Sequence, residues 1–249
     1  LTEADYSKLK GVADEKHFDE FIKRIGGERV DPLITRSGVK KADYLFRDAG
    51  VVVELKILET EFAHTEEAEA KFTKLLNEYE GFEAAAAEQA IWRGALEILR
   101  APLQRIIRKA NTQIRETKQE LGLVGYEGVL LCVNDNFRGV SPKIAESLIS
   151  HILAGAHFRS ICASIYLTNH HIEHPNRKDA LFLWAPRYSP QASDKLQTFI
   201  NELGRRWFDY SEEQIGPFIS REEHETFDLT PASVVTGLRR NSQYVDRNE

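Results

Sequence analysis

The chain has 249 residues, 42% of them hydrophobic and 29% charged, with a formal net charge of −6. That length and balance exclude a disordered chain and leave room for one large domain. The negative charge excludes a globally basic nucleic-acid coat, though not a local basic groove. No apolar run reaches membrane-spanning length. The polar start Leu1-Thr-Glu-Ala-Asp5 has no signal-peptide pattern. Cys132 and Cys162 each fall inside an apolar, strand-like run, so buried thiols in a reducing cytoplasm are expected rather than a disulfide or a metal site.

Phe18, Phe21, Ile22 and Ile25 recur at helical spacing and predict a helix over 14–27, closed by Gly26-Gly27. Of its acids, Glu15 lies nearer the apolar stripe and Glu20 points away from it. Residues 28–35 read as a short irregular strand, because Pro32 cannot donate to a ladder. A basic turn, Arg36-Ser-Gly-Val-Lys40-Lys41, leads into a predicted hairpin of strands 42–46 and 51–58. Arg47-Asp-Ala-Gly50 joins them, with Gly50 free to take positive φ.

The second strand of this hairpin is apolar at nearly every position, as in a strand buried on both faces. Glu54 and Lys56 interrupt it. Side chains alternate along a strand, so both project from one face, and Asp43 sits across the turn on the neighbouring strand. Burying a carboxylate and an ammonium costs several kcal/mol each, as an order of magnitude, unless they are paired or bind something. Two carboxylates and a lysine therefore converge at one end of a small sheet.

Beyond this hairpin the pattern turns helical, with helices predicted at 66–79, 82–99 and, after Pro102, 103–121. Leu103, Ile106, Ile107, Ala110, Ile114, Thr117 and Leu121 form the buried stripe of the third. Arg108, Lys109 and Lys118 belong to a basic row along or beside that stripe. Residues 128–134 read as a buried strand, and Ser141-Pro142 opens a helix running to about residue 156. Strands follow at 160–168 and 181–186, then a helix over 193–210 with a capping serine. The polar segment from 217 to 249 is expected to be loosely attached. The order predicts an α/β or α+β fold with a central mixed sheet flanked by helices.

An acid in one strand, a tight turn, then Glu-x-Lys in the next resembles the core of the PD-(D/E)XK nuclease superfamily. Asp43 matches the first acid of that motif, and Glu54 and Lys56 match the rest. The residue before Asp43 is Ala42 rather than Pro, and the resemblance covers roughly residues 14–135. It implies one restriction-endonuclease-like domain over 1–249, entered through an N-terminal helix that contributes a further Glu, with Glu15 the first choice and Glu20 the second. Residues 59–100 read as a helical insertion, since a minimal member of the superfamily needs few residues there. A helix after the Glu-x-Lys strand often sends a Gln or Lys to the site; Gln113 is the candidate.

The implied activity is metal-dependent hydrolysis of phosphodiester bonds, in DNA more than RNA. Asp43, Glu54 and the Leu55 carbonyl would hold Mg²⁺ or Mn²⁺, a hard cation that suits oxygen ligands and keeps several waters. Lys56 would place water and phosphate and offset charge in the transition state. Lys40, Lys41, Arg108, Lys109 and Lys118 would meet the nucleic-acid backbone. A homodimer would offer two sites to two strands. Two other readings stand beside this one: a structural ion pair in a sheet, and a catalytically inactive module of the same fold that uses its helical insertion for protein association. Asn169-His-His-Ile-Glu-His174 reads as a polar loop rather than a zinc site, because adjacent histidines point apart and no Cys is near. No Gly-rich phosphate loop or nucleophile elbow is present.

Overall fold

The computed structural model describes residues 12, 14–58, 66–80, 84–134, 142–155, 157–171, 181–221 and 223. Among them, six strands form one mixed sheet flanked by five helices, an α+β architecture. In chain order these are α1 (Glu15–Arg24), β1 (Glu28–Arg29), β2 (Tyr44–Phe46), β3 (Val51–Leu58), α2 (Glu66–Glu78), α3 (Ala84–Glu120), β4 (Glu127–Asn134), α4 (Pro142–Leu153), β5 (Ala163–His171), β6 (Leu181–Tyr188) and α5 (Asp194–Ile215). The sheet order follows the chain, β1-β2-β3-β4-β5-β6. β1, β2 and β3 form an antiparallel meander, β3-β4 and β4-β5 are parallel, and β6 returns antiparallel.

The two parallel pairs place the helices. Each needs a crossover, and successive right-handed crossovers in one direction along a sheet lie on the same face. α3 and α4 accordingly share a core with Val52, Leu58, Leu130, Cys132 and Tyr166. α1 and α5 cover the opposite face against Val51, Val53, Leu55, Leu131 and Ile165. Both cores rest on strict alternation in β3, whose backbone is covered on both sides. Trp207 of α5 stacks on Phe18 of α1 at 4.4 Å between ring centroids, a packing role. Trp184 of β6 lies so close to α5 that a Cβ on Gly204 would meet its Nε1 at 2.7 Å.

Four expectations from the sequence are corrected. Residues 28–35 are not one strand: pairing stops after Arg29, and Pro32 sits in a single 3₁₀ turn, Asp31–Leu33. Pro102 does not end a helix; α3 runs through it for 37 residues, about 55 Å. The lost hydrogen bond is outweighed by packing, because Leu96, Leu99, Leu103, Ile107, Ala110 and Ile114 continue one buried stripe in phase across the proline. The span 59–100 thus contains α2 and only the first part of α3. Residues 169–171 belong to β5 rather than to the predicted histidine-rich loop, whose remaining residues, 172–179, lie outside the described residues. Finally, the segment after Gly216 is not loose at its start. Phe218 packs on Phe182 and Phe208, and Arg221 pairs with Asp209 and Glu212 of α5; beyond 223 the chain lies outside the described residues.

Both cysteines are free thiols, and burial pushes Cys132 up to about 12. Among the described residues no helix is long and apolar enough to cross a membrane.

Candidate active site

At its N-terminal end, Tyr44, β2 lies opposite Val53 of β3. One residue further, the ladder gives way to side chains. The backbone N–H of Asp43 still donates to Val53 O at 3.2 Å, but the N–H of Leu55 donates to Asp43 Oδ2 at 2.7 Å. A carboxylate has replaced the missing strand partner. The carbonyl of a strand residue points to the same side as its N–H, so the Leu55 carbonyl also faces the Asp43 side. Its side chain is buried on the other side of the sheet, in the α1/α5 core.

Glu54 and Lys56 project from the α3 face. Glu54 is fully buried, and its Oε1 accepts from Lys56 Nζ in a short, charge-assisted bond. Lys56 Nζ also donates to Gln113 Oε1 at 3.2 Å, and Gln113 Nε2 donates to the carbonyl of Lys41 at 2.8 Å. The structure therefore brings Asp43, Glu54, Lys56 and Gln113 together on three separate elements. Glu15 stands at the start of α1, where its charge reaches Asp43, but its carboxylate is tied to Arg29 at 3.0 Å. Glu20 is turned away and pairs with Arg24 at 2.6 Å.

The electrostatics of this cluster are opposed. Burial pushes the Glu54 carboxyl up to about 8, helped by the neighbouring Asp43, while Lys56 pulls it down. Burial likewise raises Asp43, against the Leu55 N–H and Lys56. Among the described residues, Glu54 Oε2 is buried without a hydrogen-bond donor, and the Asp43 carboxyl lies against Glu54. An orphan acceptor beside a second carboxylate calls for a proton or a cation. Two carboxylates and a carbonyl are oxygen donors that could hold a hard cation. Among the described residues, no group of three or more His, Cys, Asp and Glu side chains is gathered to hold a metal.

The predicted nucleic-acid contacts divide. Arg108 and Lys109 are exposed on α3, Lys109 one turn from Gln113, and neither enters an ion pair among the described residues. Lys40 is exposed, with its backbone N–H bound to Glu116 at 2.8 Å. Lys41 is engaged with Asp31 at 2.9 Å. Lys118 lies elsewhere: its charge acts on Cys162, whose N–H bonds Gly128 at the start of β4, the opposite end of the sheet from Lys56. Helical phase explains the split, since Lys118 lies five residues from Gln113 and so turns to another side of α3.

Sequence reasoning missed Thr117 and Glu116, which bind the backbone at 42 and 40. Thr117 stood out only as a polar residue in an apolar stripe, the one signal that could have marked it. The buried pair of Arg187 on β6 and Glu146 on α4, 2.6 Å apart, was also missed; Arg187 lies one residue past the strand expected over 181–186, and Glu146 is the only acid of α4. Compared with protein-family models, curated proteins and solved structures, the chain finds no significant match.

Proposed function

We propose that the chain is a divalent-metal-dependent nuclease of the PD-(D/E)XK type, hydrolysing phosphodiester bonds in nucleic acid, DNA rather than RNA. The observation that carries this reading is the convergence of Asp43, Glu54 and Lys56 where β2 stops beside β3. The order of elements supports it: an N-terminal helix, an antiparallel meander bearing the acids, a helix bearing Gln113, then a parallel strand. With no donor among the described residues, the buried Glu54 Oε2 leaves an oxygen open to a proton or a cation.

A divalent cation bound at Asp43 and Glu54 would supply an activated water and charge against the phosphoryl oxygen. The chain's own residues do the remainder. Glu54 Oε1 and Gln113 Oε1 fix the Lys56 ammonium from two directions, so its charge is aimed before substrate arrives. Burial of Glu54 on the α3 face keeps bulk water from competing for that charge. Exposed Arg108, Lys109 and Lys40 offer sequence-independent contacts to a phosphate backbone.

The second reading, a catalytically inactive module of the same fold, draws on exposed Leu76 and Trp92 of the α2–α3 hairpin, 55% and 42% accessible, as a protein-association surface. The two readings separate in a thermal melt. A nuclease site predicts that saturating Mn²⁺ raises the Tm of the wild-type chain by several degrees and leaves Asp43→Ala unmoved; a hundredfold excess over Kd contributes about 2.7 kcal/mol. Equal response, or none in either protein, favours the inactive module.

A further inference from the structure

We infer that Thr117 is a positioning residue for Asp43, an inference that rests on the nuclease reading of this site. Three successive residues ahead of Asp43 are gripped by one face of α3. Glu116 Oε2 accepts from Lys40 N at 2.8 Å, Gln113 Nε2 donates to Lys41 O at 2.8 Å, and Thr117 Oγ1 accepts from Ala42 N at 2.7 Å. The spacing of 113, 116 and 117 is the i, i+3, i+4 pattern that puts side chains together on a helix.

The three grips are not equivalent. Gln113 and Glu116 are partly exposed, so water can replace what they provide. Thr117 is fully buried and Ala42 is 3% exposed, so the Ala42 N–H has no solvent alternative. Ala42 is bonded directly to Asp43, whose own backbone is held by Val53 O and by Val30 N. The Thr117 hydroxyl thus sets the height of Asp43 against β3, and with it the fit of Asp43 Oδ2 to the Leu55 N–H. The same helix carries the Gln113 amide that orients Lys56. Acid and lysine are therefore referenced to one rigid element, which is how supporting groups fix a metal-binding carboxylate.

The test compares the full chain with Thr117→Val, which keeps the shape and removes the acceptor, and Thr117→Ser, which keeps the acceptor. Two readouts are taken: amide exchange and chemical shift of Leu55, which report where the Asp43 carboxylate sits, and the Mn²⁺ dissociation constant. Thr117→Val should expose the Leu55 amide to exchange while amides of β5 and β6 stay protected, and should weaken Mn²⁺ by about tenfold or more. Thr117→Ser should stay close to wild type in both. An unchanged Leu55 amide and unchanged Mn²⁺ affinity in Thr117→Val would overturn the inference, as would equal losses in both variants with protection falling across the sheet. If the wild-type chain binds no Mn²⁺, the nuclease reading falls, and the Leu55 amide alone still decides the role of Thr117.

Discussion

Gln113 holds Lys56 with one end of its amide and the chain leading to Asp43 with the other. Its Oε1 lies 3.2 Å from Lys56 Nζ and its Nε2 lies 2.8 Å from the Lys41 carbonyl. Because the second bond fixes which end of the amide faces the lysine, the oxygen is the end that Lys56 meets. Gln113→Leu breaks both bonds and leaves the ammonium to Glu54 alone. The expected outcome is a fall in the single-turnover cleavage rate of up to about 100-fold, the scale of a 1 Å misplacement, with substrate affinity little changed. Rapid-quench kinetics against an affinity titration would check the split.

Glu54 makes stability depend on pH in an unusual direction. Its folded-state value is raised to about 8 from an ordinary value of 4.5. Between those values the folded chain keeps a proton that the unfolded chain has released, so stability falls as pH rises through that window. Asp43, also raised, adds in the same sense. The full shift corresponds to a few kcal/mol as an order of magnitude, at 1.36 kcal/mol per unit. Glu54→Gln cannot titrate. Urea unfolding in chelator at pH 5, 6.5 and 8 should show wild-type stability declining across the series and a flatter profile for the variant; parallel profiles would contradict the assignment.

Arg187 and Glu146 form a buried pair 2.6 Å apart, with Ser150 Oγ also donating to Glu146 at 3.0 Å. Removing one partner leaves the other charge buried with one ion-pair contact fewer. Either Arg187→Leu or Glu146→Leu should cost about 3–5 kcal/mol, measured by chemical denaturation, whereas the double variant should recover much of that loss. A double variant no better than the worse single variant would show that the pair itself, not the charge left behind, sets the cost.

Arg108 and Lys109 are exposed and outside any ion pair among the described residues, while Lys118 lies by Cys162. The double variant Arg108→Gln/Lys109→Gln should weaken DNA binding and flatten its salt dependence by roughly 1.8 in log–log slope, at about 0.9 per phosphate contact. Lys118→Gln should leave the slope unchanged. Fluorescence anisotropy across a salt series would measure both.

The sheet was largely legible before any coordinates. β3 was readable to the residue, because Val51–Leu58 is β-branched, apolar and bounded by a turn at Gly50, whose φ is +72°. The charged interruptions in that strand mark the candidate site, because burial makes charge expensive wherever it occurs. Boundaries set by tertiary contact were not legible. Pro102 reads as a stop, and only the continuous buried stripe on either side of it shows why the helix persists. Lys118 looked equivalent to Lys109 because a charge row does not reveal which side of a helix meets which strand. Thr117 went unmarked because its value lies in a backbone N–H 75 residues away, and no local pattern encodes such a partner.

Lys56, held by Glu54 and Gln113 beside Asp43, is proposed as part of a hydrolytic site. The most direct test is a Mg²⁺- and Mn²⁺-dependent cleavage assay over single-stranded, duplex and branched DNA and over RNA, with Lys56→Ala measured alongside at matched folding. The expected result is metal-dependent cleavage of at least one DNA substrate by the wild-type chain, abolished by EDTA and reduced by about 100-fold or more in Lys56→Ala. Undiminished cleavage by a clean Lys56→Ala preparation would contradict it.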